Sequence, residues 1–164
     1  MMRLLYILLL AMATIAAKAQ RSPDFAEKFM SLCTADSTVK CITISPKMME
    51  QMVNQHAEGR PENMMQAIEK LKSARIVSAR AEYFSKADSL LQKNKRRFKA
   101  EKVFESNETI RGAFYSRKNK KGETVELVML RADTERDKLT IVNLTGTIDE
   151  EFLCFLYNNK TFKN

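Results

Sequence analysis

The strongest constraint on this chain is a change of apolar period near residue 97. Before it, apolar residues recur at helical spacing; after it, they alternate or run continuously, as in strands. Tyr83, Phe84, Ala87, Leu90 and Leu91 form the last helical stripe, and Lys93, Lys95 and Arg96 suit the C-terminal end of its dipole. Phe98, Ala100 and Phe104 then alternate with Lys99, Glu101 and Glu105. Ile110–Arg117 and Glu123–Arg131 read as a hairpin closed by the turn Asn119-Lys120-Lys121-Gly122. Lys138–Gly146 is apolar on both faces, as an inner strand is. Four strands in succession are most simply an antiparallel meander.

The first half reads as helices with two strands between them. Ser22-Pro23 is an N-cap followed by proline, opening a helix with Phe25, Phe29 and Leu32 on one face. Thr38–Ser45 is β-branched and predicts a strand. Ser45-Pro46 repeats the cap, and Met48, Met49, Met52, Val53 and His56 share a face of the next helix, which Gly59 ends. Pro61 opens a third helix with Met64, Met65, Ile68 and Leu71 inward, and Ala74–Arg80 is a second strand. Thr147-x-x-Glu150 has the capping-box pattern before a last helix carrying Phe152, Leu153, Leu156 and Tyr157. The order α-β-α-α-β-α-β-β-β-β-α predicts an α+β fold: an antiparallel sheet of five to six strands with helices packed on one face, a two-layer sandwich.

The N-terminus predicts export. Arg3 precedes an uncharged apolar run, Leu4–Ala17, which ends in Ala17-Lys18-Ala19 before Gln20. These are the three parts of a signal peptide, and the run is shorter than the roughly 17–25 residues that span a bilayer. Cleavage between Ala19 and Gln20 leaves a single domain, residues 20–164. It removes Arg3 and Lys18, so a net charge of +8 becomes +6. Of three cysteines, Cys33 and Cys41 are near enough in sequence to bridge, and the odd count leaves a thiol over.

Part of this pattern resembles a known family. The residues that carry it are Ile42–Val53 (ITISPKMMEQMV), the hairpin strand Glu123–Arg131 (ETVELVMLR) and Asp137–Asp149 (DKLTIVNLTGTID), with its Asn143-Leu144-Thr145-Gly146. Over roughly Asp24–Tyr157 the chain resembles the domain of unknown function 4252 family of small exported envelope proteins. The resemblance implies an exported α+β protein. Many such proteins are lipoproteins, but no cysteine stands beside Ala19 to accept a lipid, so a periplasmic or secreted form is expected. The resemblance assigns no activity and carries over no catalytic residue.

No catalytic signature is present in the residues themselves. There is one histidine, His56, and any Ser-His or Cys-His pair would have to use it. A histidine at the apolar side of a helix end is more commonly a packing residue. With four glycines and no Gly-rich loop, a backbone cradle for phosphates is not expected. No metal site or other cofactor is predicted. Met48, Met49, Met52, Met64 and Met65 are open to three readings: core filling, an adaptable binding groove, or thioether ligands for Cu(I).

Two basic clusters stand out. Lys93, Lys95, Arg96, Arg97, Lys99 and Lys102 follow the long helix, while Arg117, Lys118, Lys120 and Lys121 flank the hairpin tip. If the hairpin folds beside the helix end, the two form one positive region, opposite which an exported protein meets phospholipid, lipopolysaccharide, acidic glycan or an acidic protein face. Nucleic acid is disfavoured as a partner, because the expected compartment lies outside the cytoplasm. Asn107, Asn143 and Asn159 each open an N-x-Thr triplet, Asn143 inside a predicted strand. The leading expectation is a non-enzymatic module that binds an envelope partner. The alternative is an anion-binding protein at the membrane surface. A hydrolase built around His56 comes third.

Overall fold

A computed structural model describes residues 22–55, 62–105 and 108–158. Helix α1 (Phe25–Leu32) leads into strand β1 (Lys40–Ile44), helices α2 (Pro46–Gln55) and α3 (Glu62–Glu69), and strand β2 (Leu71–Ala79). A 3-10 turn (Ala81–Tyr83) runs into α4 (Phe84–Lys93). Strands β3 (Lys99–Glu105), β4 (Ile110–Lys118), β5 (Thr124–Asp133) and β6 (Lys138–Ile148) follow, and α5 (Glu150–Asn158) closes the described chain. This is the element order expected from the periodicity.

The strands form one sheet in the order β1-β2-β6-β5-β4-β3, every neighbour antiparallel. The meander β3–β6 is as expected, and β2 joins it along the free side of β6. The fold class is therefore α+β with a six-stranded antiparallel sheet.

The helices do not gather on one face. Val128 and Leu130 of β5 pack in one apolar cluster with Phe25 and Phe29 of α1 and Ala87 and Leu91 of α4. Leu127 and Met129, one residue out of phase, pack in a second cluster with Met49 of α2, Ala67 of α3, and Phe152 and Leu153 of α5. The sheet is thus covered on both sides, which corrects the two-layer expectation. The cause is the inner strands: β5 and β6 bury residues on both faces, and each apolar face left in water forfeits roughly 25 cal/mol per Å².

Three element ends also differ from expectation. Asp24, not Ser22, caps α1, its carboxylate accepting from the Glu27 amide at 3.0 Å. Asp149, not Thr147, caps α5, accepting from the Phe152 amide at 2.9 Å. Strand β6 keeps its ladder with β5 as far as Ile148, so Thr147 is still extended. Leu71, expected on a helix, begins β2 opposite Gly146. Gly146 has φ +137°, and a Cβ there would stand 2.5 Å from the Lys70 carbonyl oxygen. Only glycine lets the two backbones approach this closely.

Helix α1 is seated by buried polar groups. Glu126 and Asn143 are 1% and 0% exposed in the interior. The first free amides of α1 donate to them: Phe25 to Glu126 Oε1 at 2.7 Å and Ala26 to Asn143 Oδ1 at 2.9 Å. Asn143 also donates to Glu126 Oε1 at 3.2 Å, and Arg117 Nε donates to Glu126 Oε2 at 2.7 Å. Arg75 bridges Asp24 and Glu27 at 2.9 and 2.6 Å. A carboxylate at a helix N-terminus satisfies otherwise orphaned amides and complements the dipole. Asn143 is therefore a structural residue in the folded protein, and not an exposed acceptor for glycan.

Candidate functional site

The site is built by two short connections at one end of the sheet. The first is the turn between α4 and β3. Asn94 Nδ2 donates to the Leu90 carbonyl at 2.8 Å, and the Asn94 carbonyl accepts from the amides of Arg97 and Phe98 at 2.7 and 3.0 Å. Phe98 is buried and meets Phe25 edge-on, with ring centroids 6.2 Å apart. Locking the turn at Asn94 and Phe98 leaves Lys95, Arg96 and Arg97 exposed between two anchors.

The second connection is the β4–β5 hairpin. Asn119 Oδ1 accepts from the amides of Lys121 and Glu123 at 2.9 and 3.0 Å, and Gly122 supplies φ +84°. This is the turn chemistry asparagine and glycine provide. It leaves Lys120 and Lys121 at the tip, exposed.

Between the two lies a cleft of about 240 Å³ lined by Lys95, Arg96, Arg97, Phe98, Lys99, Ser116 and Lys118. Lys99 and Ser116 are paired across β3 and β4. The acids nearby are already engaged. Glu101 accepts from Ser116 Oγ at 2.6 Å and lies 3.8 Å from Lys99. Glu123 accepts from Asn119, and Glu126 is held by Arg117. Among the described residues, no ion pair holds Lys95, Arg96, Arg97 or Lys118. Like charges ~8 Å apart in water repel by about 0.5 kcal/mol per pair, so a bound anion relieves repulsion as well as adding contacts.

The structure thus joins part of the first basic cluster, Lys95, Arg96, Arg97 and Lys99, with Lys118 of the second. Lys93, Lys120 and Lys121 are exposed but off the cleft wall. Arg117 is committed to Glu126, and Lys102 points elsewhere, to the Tyr157 carbonyl at 3.4 Å. Of the five methionines, three have described side chains. Met49 is core, Met48 is exposed and Met65 is half-buried; the side chains of Met52 and Met64 lie outside the described residues. His56, Ala19, Gln20, Asn107 and Asn159 also lie outside them. Cys33 and Cys41 are free thiols here, Cys33 buried at the end of α1 and Cys41 exposed on β1, and Cys154 is free and exposed.

Sequence reasoning passed over Ser116 as a wall residue and Glu126 with Asn143 as the seat of α1. The signal for the latter two is a lone polar residue inside an otherwise apolar strand, as in VELVML and IVNL. Among the described residues, no three His, Cys, Asp or Glu side chains converge as metal ligands. No helix there is long and apolar enough to cross a membrane.

The family model described as Domain of unknown function (DUF4252) matches residues 34–153, most of the chain. The chain belongs to that family. No curated protein and no solved structure matches it.

Proposed function

We propose that this member of the DUF4252 family is an exported envelope protein that binds and does not catalyse, and that its ligand is a phosphate-bearing anion seated in the basic cleft. The observation that carries the reading is the convergence of Lys95, Arg96, Arg97, Lys99 and Lys118 on one cleft whose nearby acids are occupied. Guanidinium groups meet phosphate oxygens in pairs, and lysines add point charge. Exposed ion contacts contribute about 0.2–1 kcal/mol each. Five of them sum to roughly 1–5 kcal/mol, which places a single phosphate near or above millimolar Kd.

Calorimetric titration of the exported protein with a phosphomonoester tests this. Heat that saturates in the millimolar range, weakens with salt, and disappears in the Arg96→Gln/Lys99→Gln variant is expected. Equal binding by that variant overturns the assignment. Export rests on Arg3, the Leu4–Ala17 run and Ala17-Lys18-Ala19. N-terminal sequencing of protein from the envelope fraction should begin at Gln20, and an intact Met1 confined to the cytoplasm overturns it.

A further inference from the structure

We propose that the end of the sheet carrying the cleft is the membrane-facing end of the molecule, so that the phosphate it takes belongs to the headgroup layer of an anionic bilayer. The proposal rests on the anion-binding reading above and names its partner. Two observations carry it.

The positive region is wider than the cleft. Lys93 ends α4, and Lys120 and Lys121 stand at the β4–β5 tip, all exposed at the same end of the sheet as the cleft cations. Among the described residues none of the three has an ion pair. A single small phosphate in the cleft leaves these lysines unused. A planar array of phosphates engages them together.

Charge is also polarised along the strands. At the opposite end, Arg80 is held between Glu82 and Asp137 at 3.1 and 3.0 Å, and Arg136 lies 3.7 Å from Asp133. Both of these arginines are paired with acids, while Lys40 and Lys138 at that end have no ion pair among the described residues. At the cleft end Glu101 accepts from Ser116, Glu123 from Asn119 and Glu126 from Arg117, and Lys70 pairs with Asp149, yet Lys93, Lys95, Arg96, Arg97, Lys118, Lys120 and Lys121 have no ion pair among the described residues. A negative surface therefore turns the cleft end toward itself.

The test is binding of the exported protein to vesicles of phosphatidylcholine with and without phosphatidylglycerol, read by co-sedimentation. Binding only to the anionic vesicles is expected, falling steeply with salt. A basic residue near an anionic surface is worth about fivefold in affinity. Lys120→Gln/Lys121→Gln should therefore weaken vesicle binding about 25-fold while leaving inorganic phosphate binding unchanged. Unchanged vesicle binding by this variant, or phosphate binding without vesicle binding, overturns the inference and leaves the anion site standing. Absence of both overturns both. Orientation is read separately, with a fluorophore on Lys121→Cys or on Glu135→Cys in a Cys41→Ser/Cys154→Ser background. Brominated lipid should quench the first and not the second; the reverse overturns the membrane-facing end.

Discussion

Replacing Glu126 by alanine is the sharpest test of how α1 is held. The carboxylate is 1% exposed and takes three donors: the Phe25 amide, Asn143 Nδ2 and Arg117 Nε. Asn143 keeps a second acceptor in the Leu127 carbonyl at 3.3 Å, so its loss is small. The Phe25 amide is left buried and unpaired, at about 1–3 kcal/mol. Arg117 loses its partner, and because its side chain is 27% exposed, water recovers part of the 3–5 kcal/mol that breaking a fully buried pair costs. The expected destabilisation is about 3–4 kcal/mol, against a total of roughly 5–15 for a domain of this kind. Glu126→Gln keeps an acceptor for Phe25 but turns an amide donor toward Arg117, and should cost less, about 1–3 kcal/mol. Urea unfolding followed by circular dichroism gives both numbers. Hydrogen exchange should show the amides of Phe25 and Ala26 losing protection first. A Glu126→Ala protein within 1 kcal/mol of wild type, or one whose α1 amides exchange at the native rate, would refute the clamp.

Further outcomes follow from the same structure. Gly146→Ala forces a Cβ against the backbone of Lys70 and Leu71 at 2.5 and 2.6 Å. It should destabilise by about 2–4 kcal/mol in the same urea assay, and a neutral result would contradict the β2–β6 packing. Tyr83, Tyr115 and Tyr157 are pushed up to about 12: Tyr83 by its hydrogen bond to Asp36, Tyr115 by burial and then its bond to Asp88, Tyr157 by burial. Folded pKa values above the unfolded one near 10 mean that this stability is complete below pH 10 and lost as pH rises through 12. With no tryptophan present, absorbance at 295 nm should show these phenols ionising near 12; a midpoint near 10 while the fold persists would contradict their placement. At the acid side, Asp36 is held at about 2 by the Thr38 hydroxyl and Tyr83. Its contribution is present above pH 4 and lost as pH falls toward 2. A chromogenic disulfide reagent should find Cys41 and Cys154 reactive in the folded protein and Cys33 only after unfolding; a single thiol in the unfolded chain would instead indicate a bridge between two of the three.

The element order was legible because each segment shows a single apolar period. What the sequence left ambiguous is tertiary. The two-faced apolarity of residues 138–146 marks an inner strand, and an inner strand apolar on both faces needs cover on both, yet which helix goes to which face depends on the connections. Ser22 and Asp24 are both good caps, as are Thr147 and Asp149. Asp24 prevails where Arg75 pairs with it, and Asp149 where β6 keeps pairing to Ile148. The basic clusters are visible as runs, but not their sorting. Arg117 and Lys118 are adjacent in sequence and face opposite ways on β4, so one is consumed inside by Glu126 and the other lines the cleft. Glu126 and Asn143 are functional to the fold through partners a hundred residues away in α1, a separation no local pattern reveals.

The central claim is that the cleft between the α4–β3 turn and the β4–β5 hairpin is an anion site. Mapping amide shifts of the isotopically labelled protein, residues 20–164, during a titration with inorganic phosphate tests it most directly. Saturable changes are expected at residues 95–99 and 116–118, with little movement around Arg80 and Asp137 at the other end of the sheet. Shifts scattered over all exposed lysines, or centred away from the cleft, would contradict it.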